Sequence, residues 1–350
     1  MGGIIEGRTT VYNEISSDDK LKLVNSDNVQ LGDDFLDYLS SIDRASGTIH
    51  QYRSNLRIFW CWNLDYNNNK PFTDITKREA VKFQNMAINE WGWSPRRVRT
   101  FKATLRSMEN YITDILDDEF PDYKKIWHRI ESPADEAVRT KSVFSDNDIQ
   151  GLLDALMDNK NYQLACYLAV AVYSGRRKSE VTRFKVGYFD EHNLICDGAL
   201  YKTPEKMVTK GRGQRGKLLD VYVLAKPFRP YFDAWMRYRN EVGIDSIWLF
   251  PKEKNEDGKD EHIDPATIDS WSRVLSRMAG KQMYPHALRH FFTTHLLEQN
   301  LPESVVQSIV GWSSGEMLKL YDDRTTESQF EKYFGADGVR KIEQTSVNDL

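Results

Sequence analysis

Tyr173-Ser174-Gly175-Arg176-Arg177-Lys178-Ser179-Glu180-Val181 closes one helical pattern and opens another. The residues before it, Leu164 to Tyr173, are almost continuously apolar, which predicts a buried helix ending at glycine. A helix start presents backbone N–H groups to an anion, and an arginine there adds a planar fork for phosphate oxygens. A surface turn would read the same way. The meaning of this stretch rests on what the rest of the chain supplies.

Downstream, Tyr188-Phe189, Leu194-Ile195-Cys196 and Val221-Tyr222-Val223-Leu224 are short β-prone runs bounded by glycine and charged turns. They predict a small antiparallel sheet inserted in a helical domain. Thr209-Lys210-Gly211-Arg212-Gly213-Gln214-Arg215 reads as a glycine-rich basic hairpin tip between strands, with Lys210, Arg212 and Arg215 as candidate cations. His286-Ala287-Leu288-Arg289-His290 follows Pro285 at a helix start, and the spacing of three puts His286 and Arg289 on one face, able to share a phosphate. Gly311-Trp312 and Tyr321 come next; an indole is a donor only, and a tyrosine hydroxyl is a candidate nucleophile. Two core aromatics would give the same letters.

Upstream, residues 1–28 are polar and poorly periodic and read as a flexible leader. Residues 29–125 read as a compact helical domain. Phe35, Leu36 and Leu39 share one face; Tyr52, Leu56, Phe59 and Trp60 recur at helical spacing; Ile75-Thr76 opens a helix with Ala80, Phe83 and Met86 inward. Ser94-Pro95 is an N-cap followed by proline at the first helical position. Opposite that helix's apolar stripe stand Arg96, Arg97, Arg99, Lys102 and Arg106, the charge needed to neutralise phosphates in a groove, or an ordinary solvated face. Residues 117–142 are acidic and broken by Pro121 and Pro133, and 126–142 read as the linker. Residues 143–335 form the second domain and 336–350 a tail. The fold class is mainly α with a small antiparallel β-sheet.

Composition narrows the function classes. The 350 residues suit two domains, and 40% apolar with 29% charged residues suit a large core. Leu164 to Tyr173 falls well short of the ~20 apolar residues that span a bilayer, and no apolar leader indicates secretion. Cys61, Cys166 and Cys196 give neither a disulfide framework nor metal-ligand spacing. A cytoplasmic protein without membrane, metal or cofactor is expected. Net charge is −4, but its distribution is uneven: residues 51–110 carry 11 basic and 5 acidic side chains, and 171–220 carry 11 and 6. The flanking segments are acidic. Two basic segments suit one polyanion held at two surfaces.

In the order Arg, Lys, His-x-x-Arg, Trp, Tyr, these residues closely resemble the tyrosine recombinase, or phage integrase, family. That family's Thr-Gly-x-Arg-x-x-Glu box is matched by Ser174-Gly175-Arg176-Arg177-Lys178-Ser179-Glu180, its hairpin lysine by Lys210, and its His-x-x-Arg-His box by His286, Arg289 and His290. Its Leu-Gly-His box appears as Val310-Gly311-Trp312, with tryptophan as in Cre-type enzymes, and its nucleophile as Tyr321. The resemblance spans roughly residues 29–335 and is to the simple, two-domain Cre/Xer-like type. Three departures stand out. Ser174 replaces threonine but keeps the hydroxyl; Asp322-Asp323 set an acidic context after the nucleophile; Arg176 and Lys178 occupy positions where apolar residues are common, so this turn is expected to be more exposed than usual.

The resemblance implies phosphoryl transfer on double-stranded DNA in a prokaryotic or phage setting. Arg177, Arg289, His286 and Trp312 would cage the phosphate, Tyr321 would form a 3′-phosphotyrosyl link, Lys210 would protonate the leaving 5′-hydroxyl, and Glu180 would orient them. It also implies a site-specific recombinase or integrase acting as a homo-tetramer on two inverted-repeat sites, docked through an amphipathic helix around Glu327 to Phe334. A type IB topoisomerase-like relaxing enzyme and a catalytically silent DNA-binding protein on the same scaffold are the alternatives.

Overall fold

The computed structural model describes residues 15–134, 143–209, 216–253 and 258–312, and the backbone of 334–335 and 338–339. Residues 15–134 make one compact unit; residues 143–209 and 217–312 belong to another.

The first unit is helical: α1 (Ser26–Ser41), α2 (Ser46–Tyr66), α3 (Lys77–Asn89) and α4 (Pro95–Ile115). The starts follow local chemistry. Thr76 and Glu79 form a reciprocal capping box on α3, and the Ser94 hydroxyl accepts the Arg97 N–H ahead of Pro95 on α4. The core is aromatic around Phe59, whose ring lies 5.2 Å from Phe83, 5.4 Å from Trp62 and 5.4 Å from Trp127.

Trp127 corrects one expectation. The sequence places it in the linker, yet Ile126, Trp127 and Ile130 are buried in this core, so the unit's packed chain runs at least to 130. The leader is corrected at its other end. Ile15 and Val24 are buried, Arg57 pairs with Asp18 at 2.7 Å, and α1 begins at Ser26, before the expected boundary at 29. Asparagines make the attachment: Asn25 N–H donates to Asn69 Oδ1 (2.9 Å), Asn28 Nδ2 to the Lys70 carbonyl (2.8 Å), and Asn28 Oδ1 accepts the Phe72 N–H (2.7 Å). Such contacts have no hydrophobic period, so a periodicity reading passes over them.

In the second unit, α5 (Asp146–Asp158) starts at a capping box between Ser145 and Asp148. The apolar helix α6 (Tyr162–Ser174) is its central element, buried on nearly every face and packed by α5, by α7 (Ala225–Glu241) and by α9 (Pro285–Glu298). Strands β1 (Leu194–Ile195), β2 (Leu200–Lys202) and β5 (Tyr222–Leu224) form an antiparallel sheet, with Leu194 opposite Tyr201 and Tyr201 opposite Val223. A separate hairpin joins β3 (Met207–Thr209) to β4 (Lys217–Leu219), with Thr209 opposite Lys217. Helices α8 (Pro265–Ala279) and α10 (Glu303–Val310) belong to the same unit, and a single helical turn, Lys178–Val181, follows α6.

The mainly helical fold with small antiparallel sheets is as expected, with one exchange. Tyr188-Phe189 lies in a 3₁₀ helix, Val186–Phe189, rather than a strand. Its drive is burial: the Phe189 ring packs 4.8 Å from Phe228 and 5.2 Å from Phe232. Near the C-terminus, β6 (Phe334–Gly335) pairs with β7 (Gly338–Val339). Phe334, expected to end a helix, is therefore in a strand. Residues 327–333 lie outside the described residues.

Candidate active site

Helix α6 ends at Gly175, whose φ of +59° favours glycine. A Cβ there would also lie 2.4 Å from Phe292 Cδ1, so α9 leaves no room for a side chain. The Ser174 hydroxyl donates to the Val170 carbonyl (2.5 Å) and accepts the Arg176 N–H (3.4 Å), which ties the turn to the helix it leaves. At Arg177 the backbone N–H donates to Glu180 Oε2 (3.2 Å) and Nη1 donates to Oε1 (2.9 Å). Glu180 is buried while the Arg177 side chain is 27% exposed. One carboxylate thus fixes an arginine that still reaches solvent.

Arg289 joins the distant pieces. It is 0% exposed, donates from Nη1 to the Gly175 carbonyl (2.7 Å) and from Nη2 to the Val310 carbonyl (3.1 Å), and lies 5.3 Å from the Trp312 ring centroid. His286 stands one turn earlier on α9 and is exposed, its ring 5.6 Å from that of His290. The arginine turn and, more than a hundred residues later, the His-x-x-Arg helix and the Gly-Trp corner therefore meet. Arg183 adds a fourth tie: Nε donates to the Ser179 carbonyl (2.8 Å) and Nη2 to the Val208 carbonyl (2.5 Å), holding β3 against the turn after Arg177. Lys210, Arg212, Arg215 and Tyr321 lie outside the described residues; the strands that flank Lys210–Arg215 are in register.

The turn itself differs from expectation. Arg176 is only 2% exposed, its guanidinium donating to the Ile309 carbonyl, so a charged residue at this position went inward rather than opening the turn. Burial lowers its pKa to about 10. Lys178 is the outward member and pairs with Asp269 at 2.6 Å.

The basic ridge of α4 needs the larger correction. Lys102 is 1% exposed and donates to the carbonyls of Ile130 (2.8 Å) and Glu131 (3.0 Å). Arg106 donates to Trp127 (3.0 Å) and Ile130 (3.2 Å), and Arg99 to Pro133 (2.9 Å). Arg97 lies over the rings of Trp93 and Phe101, at 4.7 and 5.2 Å. Arg96 alone of the five is exposed. Glu109, which sequence reasoning did not single out, ends the same stripe. Buried, it accepts the N–H groups of Ile126 (2.5 Å), Trp127 (2.9 Å) and His128 (3.3 Å), the Tyr123 hydroxyl (3.1 Å) and the His128 ring (2.9 Å). The spacing 99, 102, 106, 109 is one helical stripe that holds residues 126–133 along α4. An acid closing a basic row at that spacing was the available signal.

Among the described residues no group of three or more His, Cys, Asp or Glu is placed to hold a metal ion, and no described helix is long and apolar enough to cross a membrane.

Known proteins place this geometry. The SPbeta prophage-derived recombinase-like protein YomM of Bacillus subtilis is 29% identical over 318 residues, covering 89% of this chain and 92% of that protein. A tyrosine recombinase of Thermosipho africanus is 24% identical over 88% of this chain and 98% of its own. The fold matches the XerH site-specific recombinase bound to palindromic difH substrate, with TM-score 0.60 and 17% identity over 81% of this chain and 78% of that one. It also matches the Tn1549 transposon integrase in complex with a circular intermediate DNA, at 0.61 and 16% over 87% and 98%. The model of the phage integrase family matches residues 142–328, more than half of the sequence and all of the described site; the chain belongs to that family, the tyrosine recombinases.

Proposed function

We propose that this tyrosine-type site-specific recombinase cleaves and rejoins double-stranded DNA through a 3′-phosphotyrosyl link to Tyr321, as a homo-tetramer on two inverted-repeat sites. The observation that carries the reading is Arg289, buried and bonded at once to the arginine turn and to the corner before Trp312. Arg177 and Arg289 stabilise charge on the non-bridging oxygens in the transition state, with His286 and the Trp312 N–H completing the cage. Tyr321 attacks phosphorus, the bond to the 5′-oxygen breaks, and Lys210 protonates that oxygen. Glu180 keeps Arg177 in place rather than touching DNA. Because the tyrosyl ester conserves the phosphodiester, rejoining needs no nucleotide. The exposed Arg96 and the hairpin cations Arg212 and Arg215 are the DNA-contacting residues of this reading.

The test is to search the DNA flanking the gene for an inverted repeat with a short central spacer, place two copies on a plasmid, and incubate it with the protein in EDTA without nucleotide. Exchange between the two copies is expected. Relaxation of supercoils without exchange would favour a relaxing enzyme, and binding without either reaction a silent scaffold. Deleting residues 325–350 is expected to spare half-site binding and abolish exchange.

A further inference from the structure

Arg176, like Arg289, is a buried arginine of the site, and no step of the proposed reaction uses it. It is as deeply buried as the apolar core, Nε has no hydrogen-bond partner, and the neighbouring carboxylate, Glu180, is bonded to Arg177 instead. A buried cation without a paired carboxylate is costly, and removing it by substitution is easy for any apolar side chain of similar length. Its contacts say what it does there. Nη2 donates to the carbonyl of Ile309, next to last in α10, while Arg289 takes the carbonyl of Val310. These are end carbonyls of a helix, where partial negative charge gathers. The chain then turns at Gly311 with φ +79°, where a Cβ would lie 3.3 Å from Arg176 Nη1 and 2.9 Å from Leu219 Cδ1 on the hairpin that leads from Lys210. Arg176 therefore sits directly beneath the corner that delivers Trp312.

We propose that Arg176 is a positioning residue for DNA cleavage: its charge clamps the C-terminal end of α10 and fixes the Gly311–Trp312 corner relative to the Arg177 turn. The inference rests on the reading of this site as the phosphate pocket. It predicts that losing the clamp slows chemistry and leaves binding intact, because misplacement of a catalytic group by about an ångström costs up to ~10²-fold.

The experiment compares wild type, Arg176→Met and Arg176→Lys in two measurements. The first is single-turnover cleavage of a nicked suicide substrate across pH. The methionine variant is expected to bind a half-site as wild type does and to cleave ~10–100-fold more slowly. The lysine variant restores much of the rate near neutral pH and loses it at a lower alkaline pH than wild type, since a desolvated ammonium gives up its proton before a guanidinium. The second is hydrogen exchange at the Gly311 and Trp312 amides, both bonded to the Gln307 carbonyl. Exchange there is expected to speed at least ~10-fold in the methionine variant, with α9 unchanged. Wild-type cleavage and wild-type exchange in Arg176→Met would overturn the proposal, as would a lysine variant no faster than methionine at any pH. A wild type that forms no adduct would fail the recombinase reading, and the exchange arm would still decide the role of Arg176.

Discussion

Two clusters of basic side chains in this molecule look alike as letters and differ as structures. On α4, Arg99, Lys102 and Arg106 donate to carbonyls of one continuous segment, residues 127–133. Around the arginine turn, Arg176 and Arg289 donate to carbonyls at the ends of α6 and α10, elements far apart in sequence. The first cluster closes on itself, with Lys102 buried; the second converges on a place where Arg177 and His286 remain accessible. Charge density along a helix is thus no measure of a DNA surface. What distinguishes a site is that separate stretches of chain are drawn to one point and leave donors facing outward.

If that contrast is right, the two clusters fail differently. The largest effect belongs to Arg289→Ala, expected to lower cleavage by at least ~10²–10³-fold, the loss associated with one transition-state donor, with half-site binding retained in a gel-shift assay. Comparable losses of cleavage and binding would mean that Arg289 serves only the fold.

Glu109→Ala should act on the opposite property. Three amides, two of them buried, lose their acceptor at once, so denaturant unfolding is expected to show a loss of about 2 kcal/mol or more, with exchange at Ile126, Trp127 and His128 accelerated. A near-neutral result would show that residues 126–133 hold to α4 by Trp127 packing alone.

Salt dependence separates the clusters more finely. Arg99→Ala and Arg106→Ala should leave the slope of log K against log salt unchanged, because Arg99 Nε and Arg106 Nε and Nη2 donate to carbonyls of residues 127–133. Arg96→Ala should reduce it by about one ion, the signature of a lost phosphate contact. A flattened slope in Arg106→Ala would return α4's stripe to the DNA face.

The smallest effect is in pH. Burial first, and Arg106 beside it second, lower the Lys102 ammonium to about 8, against ~10.4 for an unfolded lysine. Between those values the unfolded chain holds the extra proton, so stability rises with pH; below pH 8 both states are protonated and the full cost of the buried cation is present. The melting temperature of wild type relative to Lys102→Met should therefore improve between pH 8 and 10, and a constant difference would place Lys102 in a wetter setting.

Much of this was legible because it is local. Ser94-Pro95, Ile75-Thr76 and Ser145 mark helix starts that the structure contains, and the run from Leu164 to Tyr173 is the central buried helix. The arginine turn was legible as well, since glycine before arginine encodes both a left-handed corner and its neighbour. What escaped depends on tertiary partners. Asn25 and Asn28 attach the leader through residues more than forty positions away. Arg176 turned inward because the end of α10 offers it a carbonyl that no local pattern announces. Tyr188-Phe189 carries strand propensity, and packing against Phe228 and Phe232 overrode it.

The most direct test is to identify the residue that becomes joined to DNA. Wild type is trapped on a nicked suicide substrate, digested, and the DNA-linked peptide sequenced by mass spectrometry alongside Tyr321→Phe. The account predicts a 3′-phosphate ester on the peptide containing Tyr321, and no adduct from the phenylalanine variant despite half-site binding like that of wild type. An undiminished adduct from Tyr321→Phe, or DNA carried on any other residue, would contradict it.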